Sequence, residues 1–238
     1  MIRLANVYKK YTEDNTALEN ISLKVDQGEF LYLVGPSGAG KSTLIKLLTC
    51  EERLTRGFLK IGNVDLLKLP DQHVPELRRQ LGVVPQDIFL LDHLTVYKNL
   101  VYTLQAIEVE RKKIKEKVLA ALEKVGMLQF KNAYPNQLSI GQQQKIVIAR
   151  AIVNDPKIIL ADEPTGNMDN KSAIEIMKIL YKLNQSGTTI LMATHNSTIV
   201  NTLRYRVLEI NHGRIIRDQA EGSYGLATDY RDVFVILF

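Results

Sequence analysis

The chain has one cysteine in 238 residues, and no apolar run approaches the roughly 20 residues that a bilayer-spanning helix needs. The lone Cys50 excludes an intrachain disulfide and suits a reducing compartment. Without a long apolar run, any membrane role is expected to come through a partner. The N-terminus alternates (Ile2, Leu4, Asn6) and lacks the unbroken apolar stretch of a signal peptide. Internal repeats and low-complexity tracts are absent. Excess charge is modest: the net +5 owes much to one run, Arg111-Lys112-Lys113-Ile114-Lys115-Glu116-Lys117. Ile114, Val118, Leu122 and Val125 fall at helical spacing, so the run reads as the solvated face of a helix rather than a polyanion patch. With 45% apolar and 24% charged residues, the composition is that of a soluble globular chain of one large domain or two small ones.

Against that plain background one stretch stands out. Gly35-Pro36-Ser37-Gly38-Ala39-Gly40-Lys41-Ser42-Thr43 follows the apolar run Phe30–Val34 directly. This is G-x-x-x-x-G-K-[ST] between a buried strand and a helix expected over Lys41 to about Thr49. Glycines let successive N–H groups curl inward toward a phosphate chain, and the helix dipole adds positive potential. Lys41 can reach the β- and γ-phosphates, and the Ser42 hydroxyl can ligate Mg²⁺. The competing reading, a strand–turn–helix junction with glycines for packing, weakens because partners to the motif occur downstream. Binding of a nucleoside triphosphate is the expectation.

The strands and helices place those partners. Residues 2–8 and Ile21–Val25 alternate as strands, and Gly57–Ile61 and Leu81–Pro85 are two more. From 92 to 153 the periods are helical, with a break at Tyr134-Pro135-Asn136. Lys157–Ala161 and Thr188–Ala193 are continuous apolar runs, the mark of parallel strands buried on both faces, with a helix between them near 170–184. Tyr205–Ile210 and Arg214–Arg217 close the chain around an Asn211-His212-Gly213 turn. The pattern predicts an α/β core carrying an all-helical insertion, with extra strands on the N-terminal side.

Further candidates fall at strand ends or a helix start. Asp162 and Glu163 end the strand at 157–161, where open α/β sheets place ligands. Asp162 can hold Mg²⁺, and Glu163 can polarise the water that attacks the γ-phosphate; an acidic helix cap is the alternative. Gln86 follows Leu81–Pro85, where an amide can bind Mg²⁺ or the attacking water. His195 follows Thr188–Ala193, where an imidazole can contact the γ-phosphate or simply face solvent. In Leu138-Ser139-Ile140-Gly141-Gln142, Ser139 is an N-cap and Gln142 its capping-box partner, opening the helix that carries Ile146, Ala149 and Ile152. A capped helix N-terminus of this kind is also an anion site.

With these residues in order, the chain resembles the ATP-binding-cassette (ABC) ATPases over essentially its whole length. Leu138–Gln142 resembles their Leu-Ser-Gly-Gly-Gln signature, with Ile140 where the family commonly has glycine and a side chain can crowd the approach to the γ-phosphate. The resemblance implies a P-loop, RecA-like α/β core with N-terminal antiparallel β elements and an inserted helical subdomain. It sets an ATPase domain at 1–225, its core about 1–91 and 154–225, its helical subdomain about 92–153, and a tail 226–238 of unassigned role. It implies ATP and Mg²⁺ as cofactors, Tyr11 stacked on adenine, Gln86 as the Q-loop residue, Asn167-Met168-Asp169 as the D-loop and His195 as the switch histidine. Catalysis falls to Glu163, His195 and Gln86; metal binding to Ser42, Gln86 and Asp162. Ser139, Gly141 and Gln142 of one subunit complete the ATP site of another in an ATP-dependent homodimer. The apolar segment Ile88, Phe89, Leu90, Leu91, Leu94, Val96 and Tyr97 falls where the family docks a cytoplasmic helix of its membrane protein, with Phe89 and Leu91 as expected anchors.

Within the family, Glu163–Asp169, Ala193–Ser197, Thr202–Val207 and Asn211–Asp218 are most similar to a branch that serves cell division at the cytoplasmic face of the membrane. Asn196 favours that branch, since related exporters commonly carry aspartate there. The implied partner is an FtsX-like integral membrane protein, with cytoplasmic division proteins as further candidates and no nucleic acid. Lipoprotein-release or macrolide-type exporters are the alternative, and a nucleotide-gated division scaffold is a third reading.

Overall fold

In the computed structural model the described residues are 1–166 and 168–224, so the tail 226–238 and Asn167 of the expected D-loop lie outside them. Strands β1 (Ile2–Lys10), β2 (Thr16–Val25) and β3 (Phe30–Val34) lead to helix α1 (Lys41–Leu48). Strands β4 (Arg56–Ile61) and β5 (Val64–Asp65) and a short helix α2 (Val74–Arg78) follow. Then come β6 (Leu81–Val84), α3 (Val96–Ala106), α4 (Arg111–Lys124), α5 (Ile140–Ile152), β7 (Ile158–Asp162) and α6 (Asn170–Gln185). The described chain ends with β8 (Thr189–Ala193), α7 (Ser197–Thr202), β9 (Arg206–Asn211) and β10 (Arg214–Gln219). Contacts divide it into two units, Met1–Leu77 with the chain from Thr189 onward, and Arg78–Thr188.

The first unit holds an antiparallel sheet in the order β2-β1-β4-β5, with Ile2 opposite both Val25 and Ile61. Ile2 and Leu4 are buried in alternation, and a register shift around Asn6 (φ 47°) turns Val7, not residue 6, into the core. A second run of strands in the same unit has the order β10-β9-β3-β8, with β3 parallel to β8 and β9. Every residue of β3 and β8 is buried, as their unbroken apolar sequences require. Each such Leu or Ile contributes roughly 1.5–3 kcal/mol by leaving water. Phe30 stacks on Tyr205 with ring centroids 4.4 Å apart. Arg206 ties β9 to its surroundings through Glu29 (2.8 Å) and Asp218 (2.6 Å).

The second unit pairs β6 with β7 in parallel, Leu81 opposite Ile158 through to Val84 opposite Ala161. Helices α3, α4 and α5 occupy the stretch in which only helical periods were expected. On α4 the apolar positions Ile114, Val118 and Leu122 are buried, while Arg111, Lys112, Lys113 and Lys115 are exposed. Lys117 and Lys124 share Asp155, at 2.8 and 3.1 Å. The basic run is a solvated helix face. Short elements such as β5, α2 and α7 have too few residues to show a period in the sequence. Cys50 lies beyond the end of α1 with φ of 55°, a left-handed position that favours glycine or asparagine.

Candidate functional site

The loop after β3 wraps its own lysine. Val34 is buried, Gly35 turns with φ of 141°, and Pro36, Ser37 and Gly38 are exposed before α1 begins at Lys41. A Cβ on Gly35 would lie 2.0 Å from the carbonyl oxygen of Ile210, so only glycine lets the loop leave the sheet here. The Lys41 ammonium, 9% exposed, donates to the carbonyls of Gly35 (2.8 Å) and Pro36 (3.0 Å). Ser42 and Thr43 follow it in the first turn of α1, half-buried. His195 lies on the same sheet edge: β8 neighbours β3 with Leu33 opposite Ala193, and the Thr194 N–H donates to the Leu33 carbonyl at 3.1 Å. The histidine is exposed, and Asn196 behind it caps α7 by accepting from the Ile199 N–H at 3.1 Å. Aspartate would cap equally well, so the Asn196 preference has no packing cause.

The second unit repeats this arrangement. Gln86 follows β6 and is exposed, while Asp162 ends the neighbouring parallel strand β7, with Val84 opposite Ala161. Both therefore stand at the C-terminal edge of one strand pair. Glu163 has φ of 48°, a left-handed conformation uncommon outside glycine and asparagine. A turn closes behind it, where the Gly166 N–H donates to the Glu163 carbonyl at 2.9 Å.

The expected capping box is present at 139–142: the Ser139 N–H donates to Gln142 Oε1 (2.9 Å), and the Gln142 N–H donates to Ser139 Oγ (3.3 Å). Gln143 adds a strap, its amide donating to the carbonyls of Pro135 (3.0 Å) and Leu138 (3.1 Å). Ile140 is 56% exposed, so its side chain belongs to the surface. Gly141 is buried against Ser172 on α6. Asp169, the cap of α6, accepts the Ser172 N–H (2.9 Å) and hydroxyl (2.8 Å). Those two bonds hold its carboxyl below the ordinary aspartate range. Lys145 and Glu175 join the same helices at 2.7 Å.

Tyr11 follows β1 and is 44% exposed, with the Lys9 ammonium 4.8 Å from its ring centre. Tyr8 is less open: the Arg56 guanidinium stands 4.2 Å over its ring. The donors assigned to a metal, Ser42 and Asp162 with the Gln86 amide, are all hard oxygens. That set fits Mg²⁺, which takes few protein oxygens beside phosphate and water.

Several supports had no sequence signal strong enough to find them. Asn99, 2% exposed, clamps the loop before α3: it accepts the Leu91 N–H (2.8 Å) and donates to the carbonyls of Leu91, Leu94 and Thr95, each at 3.1 Å. Arg150 on α5 donates to the Phe89 carbonyl. These two side chains shape one wall of a groove of about 750 Å³ in the second unit, where Phe89 and Tyr102 are 64% and 59% exposed. Phe89 is the open surface expected of it, Leu91 is only half-buried, and Tyr102 takes the second exposed place.

Residues 18–166 match the family of ABC transporters. The chain is 50% identical over 225 residues to the cell division ATP-binding protein FtsE of Streptococcus pneumoniae serotype 2 (strain D39 / NCTC 7466), covering 94% of this chain and 98% of that one. It is 46% identical to FtsE of Bacillus subtilis (strain 168), covering 94% and 99%. Among solved structures, the dimeric post-hydrolysis state of the ATP-binding cassette MJ0796 bound to ADP and Pi aligns with a TM-score of 0.83 at 33% identity, over 94% of this chain and 100% of that one. The cassette cbiO1 from Clostridium perfringens gives 0.86 at 27% identity, over 92% and 88%. The fold is the α/β nucleotide-binding domain of an ABC ATPase, as the resemblance implied. By family match, relatives and fold together, this chain belongs to the ABC ATPases and, among them, to the FtsE-type cell-division ATP-binding proteins.

Proposed function

We propose that the chain binds MgATP, dimerises on it, and uses hydrolysis to move an FtsX-like integral membrane protein that controls peptidoglycan hydrolases during division. The observation that carries this reading is the pairing of motif and edge. The 35–43 loop and His195 share one parallel edge in the first unit, and Gln86, Asp162 and Glu163 share another in the second. Lys41 exchanges its two loop carbonyls for phosphate oxygens, and Tyr11 stacks on adenine. Ser42, Asp162 and Gln86 would hold Mg²⁺, which neutralises phosphate charge when bound. Glu163 polarises a water whose oxygen bonds to the γ-phosphorus as the bond to ADP breaks, leaving ADP and phosphate; His195 holds the γ-phosphate. Ser139, Gly141 and Gln142 of a second copy complete the site. The stretch 92–153 serves as the helical subdomain, and its groove beside Phe89 and Tyr102 receives the membrane protein's cytoplasmic helix. That contact makes the chain a peripheral protein on the cytoplasmic face of the membrane; among the described residues no helix is long and apolar enough to cross it.

Purification from membranes in mild detergent tests the reading. An FtsX-like protein with a large extracellular loop should accompany the chain, and its absence in favour of an exporter subunit would replace the division role with transport. Specific ATPase activity should also rise with protein concentration until dimers saturate. Activity per monomer that stays flat to nanomolar concentration would remove the shared site.

A further inference from the structure

We infer that Arg150 is a positioning residue that ties the docking groove to the signature helix, so that displacement of either is delivered to the other. The inference rests on the groove and ATP-dimer reading above. Helix α5 spans thirteen residues, roughly 20 Å at 1.5 Å per residue. Ser139, Gly141 and Gln142 occupy its start, and Arg150 stands in its last turn. From there the guanidinium donates to the carbonyl of Phe89, three residues beyond Gln86. Asn99 fastens the chain again at Leu91, on both its N–H (2.8 Å) and its carbonyl (3.1 Å). The short segment between Gln86 and Leu91 is thus held at one point by α5 and at the next by α3.

An arginine is an expensive choice for that place. It is half-buried, and among the described residues no carboxylate lies within ion-pair distance of it. Burial draws its pKa below the ordinary guanidinium value. Were packing all that mattered, an apolar side chain would fill the site without desolvating a charge. What the guanidinium adds is reach and a rigid set of donors. A helix transmits displacement along its axis, so a partner pressing on Phe89 acts through Arg150 on the turn that carries Ser139 and Gly141. Closure of the dimer on ATP sends the same displacement back.

Amide hydrogen exchange separates this role from simple support. The comparison uses the full chain carrying Glu163→Gln, so that bound ATP persists, with Arg150 either retained or replaced by methionine or lysine. With Arg150 present, ATP should slow exchange over both 139–145 and 87–91. Arg150→Met should keep the response at 139–145 and lose it at 87–91, and Arg150→Lys should restore at least part of it, since an ammonium can still donate to the carbonyl. In the hydrolysis-competent chain, Arg150→Met should lower kcat by on the order of 10- to 100-fold through misplacement, with KM for ATP little changed. An undiminished ATP response at 87–91 in Arg150→Met overturns the inference. Loss of the response at 139–145 in the Arg150-containing protein overturns the dimer reading instead. If the methionine variant does not fold, Arg150→Gln, which keeps a donor but falls short of the carbonyl, takes its place with the same two readings.

Discussion

Gly141 and Ser172 approach so closely that no side chain fits between them: a Cβ at 141 would fall 2.7 Å from Ser172 Oγ and 2.9 Å from its Cβ. Ser172 in turn holds Asp169, so the capped turn at 139–142 and the cap of α6 are one contact apart. Gly141→Ala should therefore cost about 1–3 kcal/mol of stability by overpacking. It should also lower ATPase activity while ATP binding to the monomer persists. Adding Ser172→Gly opens the space and should return part of the lost stability, as read by urea unfolding. Full wild-type stability in Gly141→Ala would mean that α5 and α6 shift apart freely.

Replacing the assigned base tests the chemistry directly. Glu163→Gln keeps size and hydrogen bonding but cannot polarise water, so hydrolysis should fall roughly 10²–10⁴-fold. ATP binding should survive, and the variant should accumulate as an ATP-bound dimer on size exclusion. Lys41→Ala should instead lose ATP binding. Turnover by Glu163→Gln within a few-fold of wild type would place the base elsewhere.

The proposed base recognition is tested at Tyr11. Stacking of an aromatic ring on a base is worth about 1–3 kcal/mol in nucleic-acid complexes. Tyr11→Ala should weaken ATP binding about 5- to 100-fold on that scale, with Tyr11→Phe nearly silent and GTP discriminated only modestly. Equal affinity in Tyr11→Ala and wild type would pass the role to Tyr8, where Arg56 would first have to leave the ring.

At the groove, Phe89→Glu and Tyr102→Glu place charge on two exposed rings of the second unit. Both should abolish recruitment to membranes while basal ATPase activity and the melting temperature stay near wild type. Recruitment at full strength would move the docking surface away from this groove.

Asp169 supplies a pH dependence whose sign follows from its hydrogen bonds. Bonds from Ser172 depress the carboxyl in the folded state. The stability it adds is present above its unfolded value, near 3.9, and is lost as pH falls through the lower folded value. The stability gap between wild type and Asp169→Ala should be constant from pH 8 to 5 and narrow below about pH 4, as followed by thermal melts.

Much of this was legible because buried parallel strands leave unbroken apolar runs. Phe30–Val34 and Thr189–Ala193 announced themselves, and the residues beyond them, Gly35–Thr43 and His195, were candidates by position alone. The capping box at Ser139 and Gln142 was readable because its two hydrogen bonds are local. Asn99, Arg150 and Ser172 were not, since each acts on a residue distant in sequence or through a contact that leaves no periodic trace. Ile140 illustrates the limit from the other side. Its identity flagged a departure, but only the fold shows its side chain at the surface.

The left-handed backbone at Glu163 carries a consequence for how the chain tolerates change. A non-glycine residue held there forgoes about 1–2 kcal/mol. Substitution by asparagine or glycine would relax the turn while removing the carboxylate, so the better-folded protein would be the poorer ATPase. Selection for thermal robustness alone would erode this position. A library screened only for stability should enrich Asn or Gly at 163, and one screened for growth that depends on hydrolysis should keep glutamate.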